Sequence, residues 1–278
     1  MVVGRSSKTV QQGLTKIASS LLFAALLNDD YVSKIGLKAK TDAGPVNVTI
    51  ETDAAKDGTM TSKISSKFSY ASFNVDKLQT AGGGSHTLET SLKLSPDIKF
   101  SFKASKGADL GVDYVKGNLY ATGTLDVMDM SKLSSSACLA LAPGIKVGGD
   151  ATYSLTGAGL TNFGVGGSFT TNNGRCFGAV TATSKLSKYN LSLLYKVSPE
   201  LSIASSTTHS SSKACEVIAI GGSYKAEGLG TIKAKIASNQ VFHACLIREV
   251  APKVTLTACG TVTGSDMSTF KPGLYVSI

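Results

Sequence analysis

The sequence predicts an all-β fold, a transmembrane β-barrel of about 19 strands with one N-terminal amphipathic helix inside or near the lumen. Three observations predict it. From Tyr31 to the C-terminus, apolar and polar residues alternate with period two, interrupted by turn formers. The two faces so formed are an apolar row continuous through nearly every strand and an opposite row of Ser, Thr, Asn, Gly and Lys. The chain is also poor in charge, at 17% charged residues with 42% hydrophobic residues and no Trp. Globular domains carry about 25% charged residues. The apolar content excludes disorder, and Gly with no period of three excludes collagen.

The first 30 residues form the helix and hinge. From Val10 the apolar positions Leu14, Ile17 and Leu21 advance by four, three and four, while Gln11, Gln12, Lys16 and Ser19 fall off that stripe. This is amphipathic helical spacing. The apolar stretch at residues 17–27 is shorter than the roughly 20 residues of a spanning helix. A secretory leader with Arg5 and Lys8 as its basic start shows the same pattern, as does a buried core helix; both alternatives stay open.

Residues 31–278 form the barrel. Clear strands run through residues 34–40, 46–51, 86–93, 98–103, 231–236 and 253–259, with turns at Asp42-Ala43-Gly44-Pro45, Asp57-Gly58, Gly82-Gly83-Gly84, Lys116-Gly117-Asn118, Pro143-Gly144, Asn172-Asn173-Gly174 and Ser198-Pro199. Residues 121–127 and 202–209 fit either parity. A soluble sandwich packs its apolar faces inward and shows mixed charges outside. A membrane barrel turns the apolar face to lipid and the polar face to water, and must close because lipid leaves no partner for an open sheet edge. After the helix about 248 residues remain, and roughly 10 per strand plus a short turn gives about 19 strands. A barrel that wide has a lumen too large for side chains to fill, hence a channel.

Lys and Arg number 28 against 19 Asp and Glu, a formal charge of +9. Arg is confined to Arg5, Arg175 and Arg248, which argues against base readout and a specific nucleic-acid site. In the clear strands the lysines keep the polar parity: Lys34, Lys38 and Lys40; Lys63 and Lys67; Lys99 and Lys103; Lys233 and Lys235; and Lys253. A lysine facing lipid at mid-bilayer costs about 2–4 kcal/mol, so these ammonium groups are expected to line the lumen and concentrate anions.

Catalytic constellations are absent from the sequence. His86, His209 and His243 form no metal-spaced pair, and no phosphate-cradling Gly-rich loop precedes a helix. Cys138, Cys176, Cys215, Cys245 and Cys259 contain no C-x-x-C. Such scattered cysteines suit a reducing compartment or burial as small hydrophobes. The expectation is no enzyme activity, no cofactor and no metal.

Several passages resemble the mitochondrial porins, the voltage-dependent anion channels. Leu21-Leu22 through Asp29-Asp30-Tyr31 to Gly36-Leu37-Lys38 resembles the family's helix, hinge and first strand. Residues 229–236, 244–248 and 253–262 resemble its last strands, and residues 96–102 a strand opening. The final octet, with Lys271, Gly273, Val276 and Ile278, fits the sorting signal for mitochondrial barrels. The resemblance implies a voltage-gated, weakly anion-selective channel of the mitochondrial outer membrane that passes nucleotides, phosphate, organic anions and ions. It also implies that a helix carrying Val10, Leu14, Ile17 and Leu21 gates the pore while Lys16 contacts anions. Implied partners are membrane lipid, permeating small anions, and barrel oligomers or outer-membrane complexes. The chain departs from animal members at the lipid-facing Glu of the fourth strand: here alternation puts Val75 outward and Asp76 in the lumen. Two alternatives are the barrel of the outer-membrane protein translocase, expected to carry acidic lumen patches, and a soluble β-rich binding module.

Overall fold

The computed structural model describes Leu26 and residues 31–55, 58–171, 173–211, 217–264 and 266–278. The predicted helix, with Val10, Leu14, Lys16, Ile17 and Leu21, lies outside the described residues. Within them nineteen strands make one sheet that closes on itself. The first seven are β1 (Ile35–Ala43), β2 (Val46–Ala54), β3 (Met60–Tyr70), β4 (Phe73–Ala81), β5 (Ser85–Lys93), β6 (Ile98–Ala104) and β7 (Ala108–Lys116). Then follow β8 (Leu119–Asp126), β9 (Lys132–Ala142), β10 (Ile145–Ser154), β11 (Gly159–Thr170), β12 (Cys176–Thr183), β13 (Lys188–Lys196) and β14 (Leu201–Ser210). The last five are β15 (Val217–Ala226), β16 (Gly230–Ala237), β17 (Val241–Ala251), β18 (Val254–Thr263) and β19 (Asp266–Ser277). The turns at Gly82-Gly83-Gly84, Pro143-Gly144 and Ser198-Pro199 fall between strands, whereas Asp42 and Ala43 still belong to β1 and Lys116 to β7, so those two turns begin later than the sequence suggests.

Consecutive strands pair antiparallel, as short hairpin turns require. An odd number of alternating strands brings the first and last together pointing the same way, so the closing seam is parallel. There Ile35, Gly36, Leu37 and Lys38 face Leu274, Tyr275, Val276 and Ser277. The amide of Lys40 adds a bond to the Ile278 carbonyl at 2.9 Å and that of Ile278 one to Lys38 at 2.8 Å. Glycine is needed at this seam: a Cβ on Gly36 would stand 2.5 Å from the Tyr275 ring and 2.8 Å from the Asp53 carboxylate.

Register assigns the faces. Ile50 is opposite Ile64, Phe102 opposite Leu110 and Ile232 opposite Leu246, so these share the outer face. Ile64 is 55% exposed to the surroundings, Val180 54% and Ile236 56%. An outer surface carrying such a continuous apolar belt is built for hydrocarbon; each side chain gains about 1.5–3 kcal/mol on leaving water. The two ambiguous stretches resolve here. Ala121 lies outward opposite Tyr114, with Thr122 inward opposite Asp113, and Ala204 lies inward opposite Leu194.

Two local departures shift residues off simple alternation. A bulge in β4 between Val75 and Lys77 leaves Asp76 unpaired and moves Lys77 onto the lumenal row opposite Glu89, while Val75 stays on the outer row opposite Thr90. Lys253, expected inside a strand, sits instead in the turn after Pro252 with φ of 68°. Pro252 cannot donate to a ladder, so the strand stops before it.

Candidate functional site

The lumenal wall is the site, and its chemistry changes around the barrel. Across β1–β7, lysines and carboxylates share the inner rows. Lys34 forms an ion pair with Asp53 and Lys38 with Glu51. Lys99 lies 3.7 Å from Asp76, and Lys103 lies 3.4 Å from Glu89. Lys63 is opposite Glu51, Lys99 opposite Asp113 and Lys103 opposite Asp109. Lys67 is opposite Asn47 and, with Lys40 and Lys77, borders a recess of about 260 Å³ that Asp42 and Asp76 also line. The positive charge of this third of the wall is therefore largely offset in place.

The wall of β8–β14 is lined mainly by hydroxyls, with Asp126, Lys132, Lys146, Asp150, Lys188 and Lys196 also on its inner rows. Thr122 and Ser136 are 2.8 Å apart, Thr208 donates to the Asn190 side-chain oxygen at 3.0 Å, and Ser168, Thr181 and Ser192 are buried. Of its carboxylates, Asp150 is flanked by Ser136 and Gly164, and Asp126 stands opposite Asp109. One apolar patch interrupts this surface. Phe177, Ala179, Leu194 and Ala204 lie on the inner rows and bury Leu26, which is 2% exposed.

On β15–β19 the lysines have different neighbours. Lys233 stands between Ser223 and Cys245, and Lys235 between Gly221 and His243. Lys271 is opposite Thr261, whose hydroxyl is 2.9 Å from His243 Nδ1. No carboxylate stands directly opposite Lys233, Lys235 or Lys271 in register. Tyr31 rests on this wall, with its ring centroid 5.2 Å from that of His243 and 5.5 Å from the Lys235 ammonium. Its hydroxyl donates to the Leu26 carbonyl at 2.9 Å. Tyr31 thus links the lysine wall to the residue seated on the apolar patch.

Of the residues singled out from the sequence, Lys38, Lys63, Lys67, Lys99, Lys103, Lys233 and Lys235 fall on lumenal rows, Lys34 precedes β1 and pairs with Asp53, and Lys253 falls in a turn. In the final octet Lys271 and Gly273 are lumenal, Val276 is outward opposite Leu256, and Ile278 ends the chain beside β1. Sequence reasoning missed the carboxylates Glu51, Asp53, Glu89, Asp109 and Asp113. Their signal was present, since each sits on the polar parity of its own strand, as Glu51 does beside Ile50 and Asp113 between Val112 and Tyr114. Among the described residues no group of three or more His, Cys, Asp or Glu is placed to hold a metal.

Solved structures of Rhodopseudomonas blastica porin mutants superpose with a TM-score of 0.48 at 10% identity, covering 85% of this chain and 93% of theirs. The mitochondrial outer membrane protein porin of Candida albicans is 24% identical over 245 residues, which is 83% of this chain and 86% of that one. Residues 20–273 match the profile of the family described as eukaryotic porin. With that match over most of its length, the chain belongs to the eukaryotic porin family.

Proposed function

We propose that this protein is a voltage-gated, weakly anion-selective diffusion channel of the mitochondrial outer membrane. Its permeants are small hydrophilic anions such as nucleotides, phosphate and organic acids, together with ions. Membership of the porin family makes it a pore-forming, non-enzymatic barrel in lipid. The Candida relative supports the location, and the octet with Lys271, Gly273, Val276 and Ile278 supplies an insertion signal on the closing strand. Selectivity rests on one observation: in a chain with 28 Lys and Arg against 19 Asp and Glu, the strand lysines Lys38, Lys63, Lys99, Lys103, Lys233 and Lys235 all keep lumenal rows. Their field raises the local concentration of anions without a tight site, and weak binding keeps throughput high. The lumenal carboxylates of β1–β7 lie among lysines rather than forming an acidic patch for basic presequences, which favours metabolite passage over protein translocation.

Gating is assigned to the N-terminal segment carrying Val10, Leu14, Lys16, Ile17 and Leu21. The Leu26 seat on Phe177, Ala179, Leu194 and Ala204 supports an apolar docking surface for it. Moving one charge through the membrane field is worth about 2.3 kcal/mol per 100 mV. The test is the reversal potential of single channels in a KCl gradient. The native protein prefers chloride, and Lys233→Glu with Lys235→Glu moves it toward potassium. A native cation preference, or no movement in the variant, overturns the assignment.

A further inference from the structure

Cys245 on β17 and Cys259 on β18 are directly opposite each other in register, on the same lumenal row. Both carry thiols, and both are buried, at 3% and 9% exposure. Directly opposite residues of an antiparallel pair have Cα atoms about 4.5 or 5.5 Å apart. A disulfide spans Cα separations of about 4.4–6.8 Å, so the spacing of directly opposite residues lies within its reach. The row continues through Lys233 on one side, which puts a cation beside Cys245, and Gly273 on the other. The backbone of Val32 lies over Gly273, leaving no room there for a Cβ, so the pair sits beside the connection that leads into β1. Burial as small hydrophobes does not account for the placement, because the row Ser223, Lys233, Cys245, Cys259, Gly273 is part of the polar lumenal wall and not of an apolar core. Cys138 supplies an internal comparison. It is also lumenal and buried, but its register neighbours are Tyr120 and Gly148.

We propose that Cys245 and Cys259 form a redox-active dithiol in the pore wall, reversibly oxidised to a cross-strand disulfide by small peroxides. The thiolate of one cysteine attacks an oxygen of hydrogen peroxide. An S–O bond forms, the O–O bond breaks, and the departing hydroxide takes up the thiol proton as water. The second cysteine then attacks the sulfenic sulfur: the S–S bond forms, the S–O bond breaks, and the oxygen leaves as a second water. Two thiols lose two electrons and the peroxide gains them. A neighbouring thiol captures the sulfenic acid before it advances to the irreversible sulfinic acid, which a solitary cysteine cannot prevent.

The experiment exposes the full-length protein in lipid vesicles to hydrogen peroxide, denatures it, blocks remaining thiols with a maleimide and maps the peptides by mass spectrometry. The expected result is one peptide pair joined through Cys245 and Cys259, refractory to the maleimide and separated by dithiothreitol, with Cys138 in no intramolecular cross-link. In Cys245→Ser, sulfinic acid at Cys259 rises several-fold over the native protein. Cys245 and Cys259 both still taking the maleimide in the native protein, or oxidising separately to sulfinic acids, overturns the proposal. Equal sulfinic acid at Cys259 in the native and Cys245→Ser proteins also overturns it.

Discussion

The walls of β1–β7 and β15–β19 carry lysines in the same parity, yet they differ in what stands opposite. Lys38, Lys63, Lys99 and Lys103 have Glu51, Asp113 or Asp109 directly across the ladder, whereas Lys233 and Lys235 have Ser223, Cys245, Gly221 and His243. The difference teaches that counting lysines on a polar face overstates the field in the pore. A lysine next to a carboxylate adds a local dipole, and a lysine between neutral neighbours adds a net charge that reaches across the lumen. In register, then, the first wall sets its lysines against carboxylates, and the second sets Lys233 and Lys235 against residues that carry no carboxylate.

The two walls meet at the parallel seam, where the largest effect is expected. Gly36 belongs to the paired wall, and Tyr275, which covers it, belongs to the lysine wall. Gly36→Val drives a branched side chain into the Tyr275 ring and the Asp53 carboxylate. Overpacking of this kind costs about 1–3 kcal/mol. Unfolding in denaturant from detergent micelles should show that loss, while Gly222→Val on β15, which faces no such ring, should lose less. Equal losses would mean that the seam is no weaker than any other hairpin.

The barrel itself was legible in the sequence because lipid enforces a strict rule. The outward face must be predominantly apolar and every edge must close, so period-two alternation and length together indicate the number of strands. The lysine rows followed from the same parity. What escaped depends on register between strands, which no single strand encodes: Glu89 was visible as polar, but its nearness to Lys103 comes from the β5–β6 ladder. The bulge at Asp76, which carries Lys77 inward, is likewise a property of two strands paired. Lys253 is a different case. Its neighbour Pro252 was a readable stop signal, overridden by the alternation that begins at Val254.

A smaller effect separates a neutralised charge from an absent one. Lys103→Gln alone leaves Glu89 and Asp109 in excess and should move the reversal potential toward potassium. Adding Glu89→Gln removes both members of the pair and should restore the native value, at a stability cost of no more than about 1 kcal/mol for a partly exposed pair. Lys235→Gln has no such rescue among its register neighbours, since Gly221 and His243 carry no negative charge to remove. A double variant that stays shifted would show that Lys103 acts on the pore despite its partners.

The smallest effect tests whether the lysine wall also holds the connection to the N-terminal segment. Tyr31→Phe keeps the ring against His243 and Lys235 and deletes only the hydroxyl that donates to the Leu26 carbonyl. A single neutral hydrogen bond contributes about 0.5–1.5 kcal/mol, and the substitution alters no charge. Hydrogen exchange at residue 26 should therefore quicken by about tenfold at most, because 1.4 kcal/mol is one decade in an equilibrium constant. The reversal potential should stay at the native value, because Lys233 and Lys235 remain in place. A change in selectivity from this variant would mean that the position of the segment, and not the fixed charge of β16, sets the field that anions meet.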